Sequence, residues 1–181
     1  SGELDPAKTF DINYLGRTRV AKLSKEYGVK RYLLASTCSV YGFRQDKVLD
    51  ENSPTNPLTT YAKSNLLTEE AVLTLADCSF IVTVLRQATV YGLSPRMRFD
   101  LAINGMTLGL FKNRKIPVMR NGDQWRPFIH IRDTSKAFIT VLESSEQKVN
   151  GEVFNTGSNK QNYQILPLAK MIGEFDTIPF G

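Results

Sequence analysis

The sequence predicts an α/β fold built on a parallel sheet. Three observations carry this. Helical and strand-like segments alternate along the 181 residues, the pattern that packs helices on a parallel sheet through right-handed crossovers. The strand-like segments are short apolar runs bounded by polar residues, as in strands buried on both faces. Two of them lead into the same tripeptide, Val40-Tyr41-Gly42 and Val90-Tyr91-Gly92, so both end in the same kind of turn.

The elements follow in order. Asp5 and Pro6 open a helix over 7–27, and Gly28 suits its exit. Phe10, Tyr14, Leu15, Val20, Ala21 and Leu23 give it apolar surface on more than one side. Residues 32–35 (YLLA) form a strand. A second helix spans 61–77, with Ala62, Leu66, Leu67, Leu73 and Ala76 as its predicted core positions. FIVTVLRQATVYG is a β-branched strand with a polar tip. A helix over 99–112 follows, then IPVM, the turn NGD and WRPFIHI as a strand, hairpin turn and strand. Asp133 caps a helix through Leu142, EVFNTG is a strand, and YQILPLAKMIGE is a last helix with Pro167 in its first turn.

Composition narrows the function. Hydrophobic residues at 41% and charged residues at 23% suffice for a soluble core. No apolar run reaches the roughly 18–20 residues of a membrane span, so no membrane partner is expected. No signal-peptide h-region is visible. Two cysteines, Cys38 and Cys78, make neither a disulfide framework nor a zinc site, so no metal is expected and a reduced, cytoplasmic setting is favoured. The net charge of +5 is scattered, densest at 95–98 (PRMR) and 113–115 (NRK), without the basic face and interleaved aromatics of a nucleic-acid binder.

Ligands of open α/β sheets bind beyond the carboxyl ends of the strands. Here those ends read Ser36-Thr37-Cys38-Ser39 and Gln87-Ala88-Thr89. Tyr61 begins the helix after the first of them, so a hydroxyl and a phenol can face one crevice. A phenol works as a base only if its pKa of about 10 is drawn toward neutrality. The usual agent is a nearby cation, such as a lysine one helical turn on. Cys38 reads as a small buried side chain with no base beside it in sequence. His130, in an apolar strand, reads as a structural imidazole. Trp125 suits either base stacking or core packing.

STCSVYG, then TTYAKSN, LRQATVYG, WRPFIHIRD and GEVFNTGS, in this order, resemble the extended short-chain dehydrogenase/reductase family, and within it the NAD-dependent nucleotide-sugar epimerases and dehydratases. The likeness runs from DPAKTFDIN to about Glu174. It implies the C-terminal part of a Rossmann-like parallel sheet, residues 1–92 carrying the catalytic Thr and Tyr. Residues 93–181 would form mostly a small α/β substrate-binding region, with some segments returning to the main sheet. It also implies NAD as cofactor, with NADP compatible, a nucleotide-diphosphate sugar as substrate, and a homodimer through helices 7–27 and 61–77. By the same likeness Thr37 hydrogen-bonds the reacting sugar oxygen and Tyr61 is the catalytic base. Asn13 lies near the cofactor, and Arg126 clamps the nucleotide diphosphate. Gln87 and Thr89 fall near the nicotinamide and the sugar, and Ser39 near the substrate.

The sequence departs from the family in three places. Asn65 stands where the family has a lysine four residues after the tyrosine; it keeps a hydrogen-bonding role in catalysis and cofactor binding but brings no charge, and Lys63 turns to the far side of the helix. Cys38 and Ser39 stand where dehydratases carry an acidic pair, which argues against dehydration. The first strands and the Gly-rich dinucleotide loop do not occur in this sequence, which reads as a piece of a longer enzyme. The junction at IGEFDTIPFG, between Glu174 and Phe175, also reads as a gap. The implied function is epimerisation through a transient keto-sugar. Its rivals are an NAD(P)-dependent reductase or dehydrogenase and a catalytically silent nucleotide- or partner-binding relative, for which Asn65 argues.

Overall fold

A computed structural model of the chain describes residues 3–43 and 48–174; the stretch following Glu174, with its predicted gap, lies outside the described residues. The chain divides into two compact units, one formed by residues up to Gln87 together with Ser135–Thr156, the other by Ala88–Thr134 together with the residues from Gly157 onward.

The first unit opens on a single helical stretch whose hydrogen bonding changes along its length. α1 (Pro6–Phe10) is capped by the Asp5 carboxylate, which accepts from the Lys8 N–H. A π-helical turn (Asp11–Gly16) follows, and α2 (Arg17–Glu26) completes the run. Gly28 then ends it at φ 75°. β1 (Arg31–Thr37) leads into a 3₁₀ turn (Cys38–Tyr41). α3 (Thr60–Leu73) is capped by the Thr59 hydroxyl. β2 (Ile81–Gln87), the C-terminal part of α5 (Ile131–Glu143), α6 (Glu146–Val149) and β5 (Glu152–Thr156) complete the unit.

Its sheet has the order β1-β2-β5, all parallel. β2 is central, and six of its seven residues are buried, which is why it reads as a continuous apolar run. Val82 and Val84 point to one face and pack with Leu34, Ala21, Val72 and Phe80. Ile81 and Leu85 point to the other and pack with Val141, Val149 and Phe138. This is the Rossmann-like parallel α/β arrangement that the sequence predicts.

The second unit carries a sheet of order β3-β4-β6, from β3 (Thr89–Tyr91), β4 (Trp125–His130) and β6 (Asn162–Gln164). α4 (Ala102–Asn113) and α7 (Ile165–Glu174) bury Met106, Ile165, Leu168 and Ala169 around Phe128. The two Val-Tyr-Gly turns share a backbone requirement. Gly42 and Gly92 both have positive φ, and a Cβ would strike the Asn56 carbonyl oxygen at the first and His130 Nε2 at 2.8 Å at the second.

Several predicted elements come out differently. The long strand over 80–92 is two strands in two sheets, β2 and β3. The hairpin of IPVM with WRPFIHI does not form: β4 pairs parallel with β3 and antiparallel with β6. Pro117 lacks the N–H that a ladder needs. The following residues instead bond the start of α7, Leu166 N–H to the Gly122 carbonyl at 2.9 Å and Ile165 N–H to that of Gln124 at 3.2 Å. YQ belongs to β6, not to the last helix, although Pro167 does fall in the first turn of α7. α5 follows β4 without a loop, so Asp133 sits in its first turn rather than at its cap. α4 starts at Ala102, after Phe99. α3 stops at Leu73, beyond which the Asp77 carboxylate accepts from the N–H groups of Ser79 and Phe80.

Candidate active site

The register of the first sheet sets Thr37 opposite Gln87, and Gln87 opposite Thr156. These three residues form one row at the carboxyl ends of the strands, the edge where open α/β sheets take ligands. Thr37 caps the 3₁₀ turn. Its hydroxyl accepts from the Ser39 N–H at 3.2 Å and donates to Ser39 Oγ at 3.1 Å. Ser39 is exposed, and Thr37 and Gln87 are half-buried.

Tyr61 lies in the first turn of α3 and is 43% exposed. Its carbonyl is held twice, by Ser64 Oγ at 2.9 Å and by Asn65 Nδ2 at 2.8 Å. Asn65 is 1% exposed, and its other end is engaged as well: Oδ1 accepts from Arg17 Nη1 at 2.6 Å. Arg17 also donates through Nη2 to the Ala35 carbonyl on β1. The carboxamide predicted to meet the cofactor is therefore buried among protein partners, with no surface open to a ligand. Asn13 stands on the π-helical turn, and its carbonyl accepts from Thr68 Oγ1 at 2.7 Å.

The face that α3 buries is polar. Ala62, Ser64, Asn65, Thr68, Glu69 and Val72 are buried, while Leu67 is 38% exposed. Of the predicted core positions, Ala62 is buried and Leu73 and Ala76 pack against the cluster around Val82 and Val84, whereas Leu67 is exposed; what the prediction missed is that α3 also meets the sheet through hydrogen bonds. Glu69, 1% exposed, takes Arg86 Nη2 at 2.7 Å and Nε at 3.0 Å on Oε2, and the Ser36 hydroxyl on Oε1. Arg86 Nη1 donates to Tyr41 OH at 2.9 Å, and Tyr41 OH donates to Asn155 Oδ1 at 2.7 Å. One network thus joins α3, all three strands of the sheet and the 3₁₀ turn just beneath the row of strand tips. Burial by itself would lower the Arg86 pKa, but Glu69 and Tyr41 outweigh it and hold the guanidinium charged. Burial raises the Tyr41 phenol, keeping it protonated. Burial also pushes the Cys38 thiol up to about 12; Cys38 Sγ donates to the Arg86 carbonyl at 3.2 Å and is a structural thiol.

Thr89 and Arg126 belong to the second unit, on β3 and β4. Arg126 Nη1 turns back to the Trp125 carbonyl at 3.0 Å. Among the described residues no carboxylate lies within ion-pair distance of Arg126 or Arg120. Desolvation, then the charge of Arg120, lowers the Arg126 pKa. Trp125 is 52% exposed and so is not a core residue. His130 packs edge-on against Tyr91 at 5.3 Å, and its Nδ1 accepts from the Arg132 N–H at 3.3 Å, a structural imidazole.

Sequence reasoning missed Arg17, Glu69, Arg86 and Tyr41. A signal existed for Glu69: Tyr61, Asn65, Thr68 and Glu69 fall at i, i+4, i+7 and i+8, one face of a helix. None existed for Arg17, one of several basic residues in RTRVAKLSK.

Topology and site together define a Rossmann-like α/β protein with polar side chains gathered at the carboxyl ends of its strands. Residues 2–157 match the NAD dependent epimerase/dehydratase family, and the chain belongs to that family. It is 32% identical over 160 residues to a dTDP-D-glucose 4,6-dehydratase of Mus musculus, covering 88% of this chain and 43% of the relative. It is 28% identical over 169 residues to a UDP-glucuronate 4-epimerase of Thermodesulfobacterium geofontis, covering 91% and 50%. Among solved structures, MoeE5 in complex with UDP-glucuronic acid and NAD is similar at a TM-score of 0.81 and 27% identity, over 90% of this chain and 54% of that one. The chain spans about half the length of the curated relatives it matches.

Proposed function

We propose that the protein is an NAD-dependent nucleotide-sugar epimerase acting through a transient keto-sugar, with Tyr61 as the base that takes the sugar hydroxyl proton. The observation that carries this is the exposed phenol in the first turn of α3, a helix that packs on β1, β2 and the 3₁₀ turn. Thr37 is the partner of the reacting oxygen. To donate to it, the hydroxyl exchanges its exposed 3.1 Å bond to Ser39 Oγ for one to the sugar, while keeping the bond from the Ser39 N–H.

The polar donor set on this chain fits the nicotinamide end of a dinucleotide. Asn13 and Gln87 both carry carboxamides, each a donor and an acceptor, and neither is buried. The Gly-rich phosphate cradle is not among the residues of this sequence. Asn13 and Gln87 would hold the nicotinamide end of NAD, which would supply reversible hydride transfer to and from a sugar carbon; NADP suits the same two side chains. Arg126, with Arg120 adding positive charge and no acidic partner among the described residues, suits a nucleotide diphosphate. Thr89 and Ser39 complete the substrate contacts in this reading.

Epimerisation is favoured over dehydration by the 3₁₀ turn, which reads Cys38-Ser39-Val40-Tyr41 and holds no carboxyl group. A thiol raised to about 12 is a poor proton donor. The same reading makes the protein a cytoplasmic homodimer, for which the exposed Ile12, Leu15, Val20 and Leu67 of the helices predicted to pair give support.

The test is turnover of UDP- and dTDP-sugars by the full-length protein. An epimer formed without net NADH is the expected product, and Tyr61→Phe should lower turnover roughly 10²–10⁴-fold. Stoichiometric NADH favours a dehydrogenase instead. Undiminished turnover in Tyr61→Phe removes Tyr61 from the role.

A further inference from the structure

Asn-Gly occurs three times in the chain, at 104–105, 121–122 and 150–151. In this pair no Cβ keeps the main-chain nitrogen away from the carboxamide before it, so the carboxamide can close on that nitrogen. We propose that Asn121 is a self-modifying site: its carboxamide closes on the Gly122 nitrogen and reopens as a carboxylate, which weakens anion binding at the neighbouring Arg120. The effect on binding rests on the reading of Arg126 and Arg120 as a diphosphate site; the modification itself does not.

The Gly122 nitrogen forms a bond to Asn121 Cγ and gives its proton to solvent. The Cγ–Nδ2 bond breaks, and ammonia leaves with a proton taken from solvent. Water then opens the cyclic imide at either carbonyl. One opening gives aspartate, the other isoaspartate with the side-chain methylene in the main chain. Nothing is oxidised or reduced; amide and water become carboxylate and ammonium.

The three pairs share a sequence and differ in surroundings. Gly105 N–H, in α4, is held by the Leu101 carbonyl at 2.7 Å. Gly151 N–H is held by the Val82 carbonyl at 2.8 Å. The Asn150 carboxamide is itself spread between the Val82 N–H at 3.1 Å and the Asp77 carbonyl at 3.0 Å. At both pairs the nucleophile must first be freed. Gly122 N–H makes no hydrogen bond among the described residues. The exposed Asn121 carboxamide turns back along the Gly122 peptide, Oδ1 accepting from the Asp123 N–H at 3.5 Å and Nδ2 donating to the Asp123 carboxylate. Packing keeps the glycine in place: at φ 81° a Cβ would lie 2.7 Å from Leu166 Cβ, so a bulkier residue that would slow the closure does not fit.

The product acts on charge and on the turn. Position 121 adjoins Arg120, which is exposed and whose charge is felt by Arg126. Among the described residues neither arginine has a carboxylate within ion-pair distance, and a carboxylate at 121 offsets the first of them. It also replaces the Nδ2 donor to Asp123 by a like charge. In the isoaspartyl form the main chain is one methylene longer just before Gly122, whose carbonyl holds the Leu166 N–H at 2.9 Å.

The experiment incubates the folded full-length protein at mildly alkaline pH, digests it, and maps it by mass spectrometry with fragmentation that separates aspartate from isoaspartate. Residue 121 should gain both products at least roughly tenfold faster than 104 and 150, whose partner N–H groups must first leave a hydrogen bond. In guanidinium, with the chain unfolded, the three rates should converge. An intact Asn121, or equal rates at the three pairs in the folded protein, overturns the inference. Asn121→Asp carries the aspartyl product alone, and UDP is the probe for binding. Its affinity by calorimetry at low salt should fall roughly two- to five-fold, the range of an exposed ion pair, while Asn121→Gln should leave it unchanged. Unchanged UDP affinity in Asn121→Asp, where Arg126→Ala does weaken it, overturns the effect on binding. Unchanged affinity in Arg126→Ala overturns the diphosphate reading and leaves the mapping result standing.

Discussion

Replacing Asn65 by lysine puts into this site the residue that the family resemblance implies, and the structure predicts that it does harm. The carboxamide is 1% exposed, with Oδ1 2.6 Å from Arg17 Nη1 and Nδ2 2.8 Å from the Tyr61 carbonyl. A lysine loses the acceptor for Arg17 and sets an ammonium against a guanidinium. Two like charges about 4 Å apart repel by about 4 kcal/mol at an effective dielectric of about 20. Both side chains are flexible and will move apart, so a net destabilisation of about 2 kcal/mol is expected, roughly a 30-fold change in the folding equilibrium. Urea denaturation of the wild type, Asn65→Lys, Arg17→Gln and the double variant reads it out as shifts of midpoint at constant slope. The double variant should be more stable than Asn65→Lys alone, with a coupling well above the ~0.3–0.5 kcal/mol of independent sites. An Asn65→Lys protein as stable as the wild type, or two changes that simply add, would refute the placement of Arg17's charge against position 65.

Two further outcomes follow from the polar network. Glu69→Gln leaves the buried Arg86 guanidinium without its counter-ion; loss of about 3–5 kcal/mol is expected, and calorimetry showing less than 1 kcal/mol would mean that water relieves the site. Cys38 should resist alkylation at pH 8 while the exposed Cys78 reacts, as mass spectrometry of the modified peptides will show. The linked stability effect has a definite sign. The unfolded chain ionises Cys38 near its ordinary 9.0 and the folded chain only at about 12, so stability from this thiol is complete below pH 9 and is lost as pH rises through that window. Equal labelling of the two thiols in the folded protein would contradict the burial of Cys38.

Much of the first unit was legible because its signals are local. β2 announces itself as a β-branched run that is buried on both faces, and Thr59 and Asp5 cap the helices whose starts they mark. The second unit was harder to read. IPVM has strand composition, but Pro117 cannot donate to a ladder, and it is the residues after IPVM, Gly122 and Gln124, that bond the start of α7. YQ looked helical because it adjoins a helix, whereas its partner is Trp125-Arg126, some forty residues earlier. The site was half legible: Thr37, Tyr61 and Gln87 stand at strand and helix ends whose positions follow from the pattern. The face on which α3 rests was read in part: Ala62, Leu73 and Ala76 do meet the core, but the buried polar stripe between them was missed. Leucines at 66, 67 and 73 outweigh a stripe of Asn, Thr and Glu in any hydrophobic count, and only the partner strand, with Arg86 at its tip, makes burial of that stripe affordable.

The bond between Arg17 and Asn65 has a geometric condition that the π-helical turn meets. Residues on an α-helix advance by about 100° each. A π-helical turn holds an extra residue, so every side chain beyond it is rotated relative to an uninterrupted α-helix. Arg17 is the first residue after that turn, and it is the residue that reaches across to Asn65, 48 positions later in sequence. Asn13 within the same turn gives its carbonyl to Thr68, one helical turn further along α3. The turn is thus stitched to α3 at two levels, and the upper stitch carries a charge. Arg17 is held by the π-helical turn before it, the carboxamide at 65 and the β1 carbonyl at 35 together, so position 65 serves as the acceptor for a cation, and a lysine there could not.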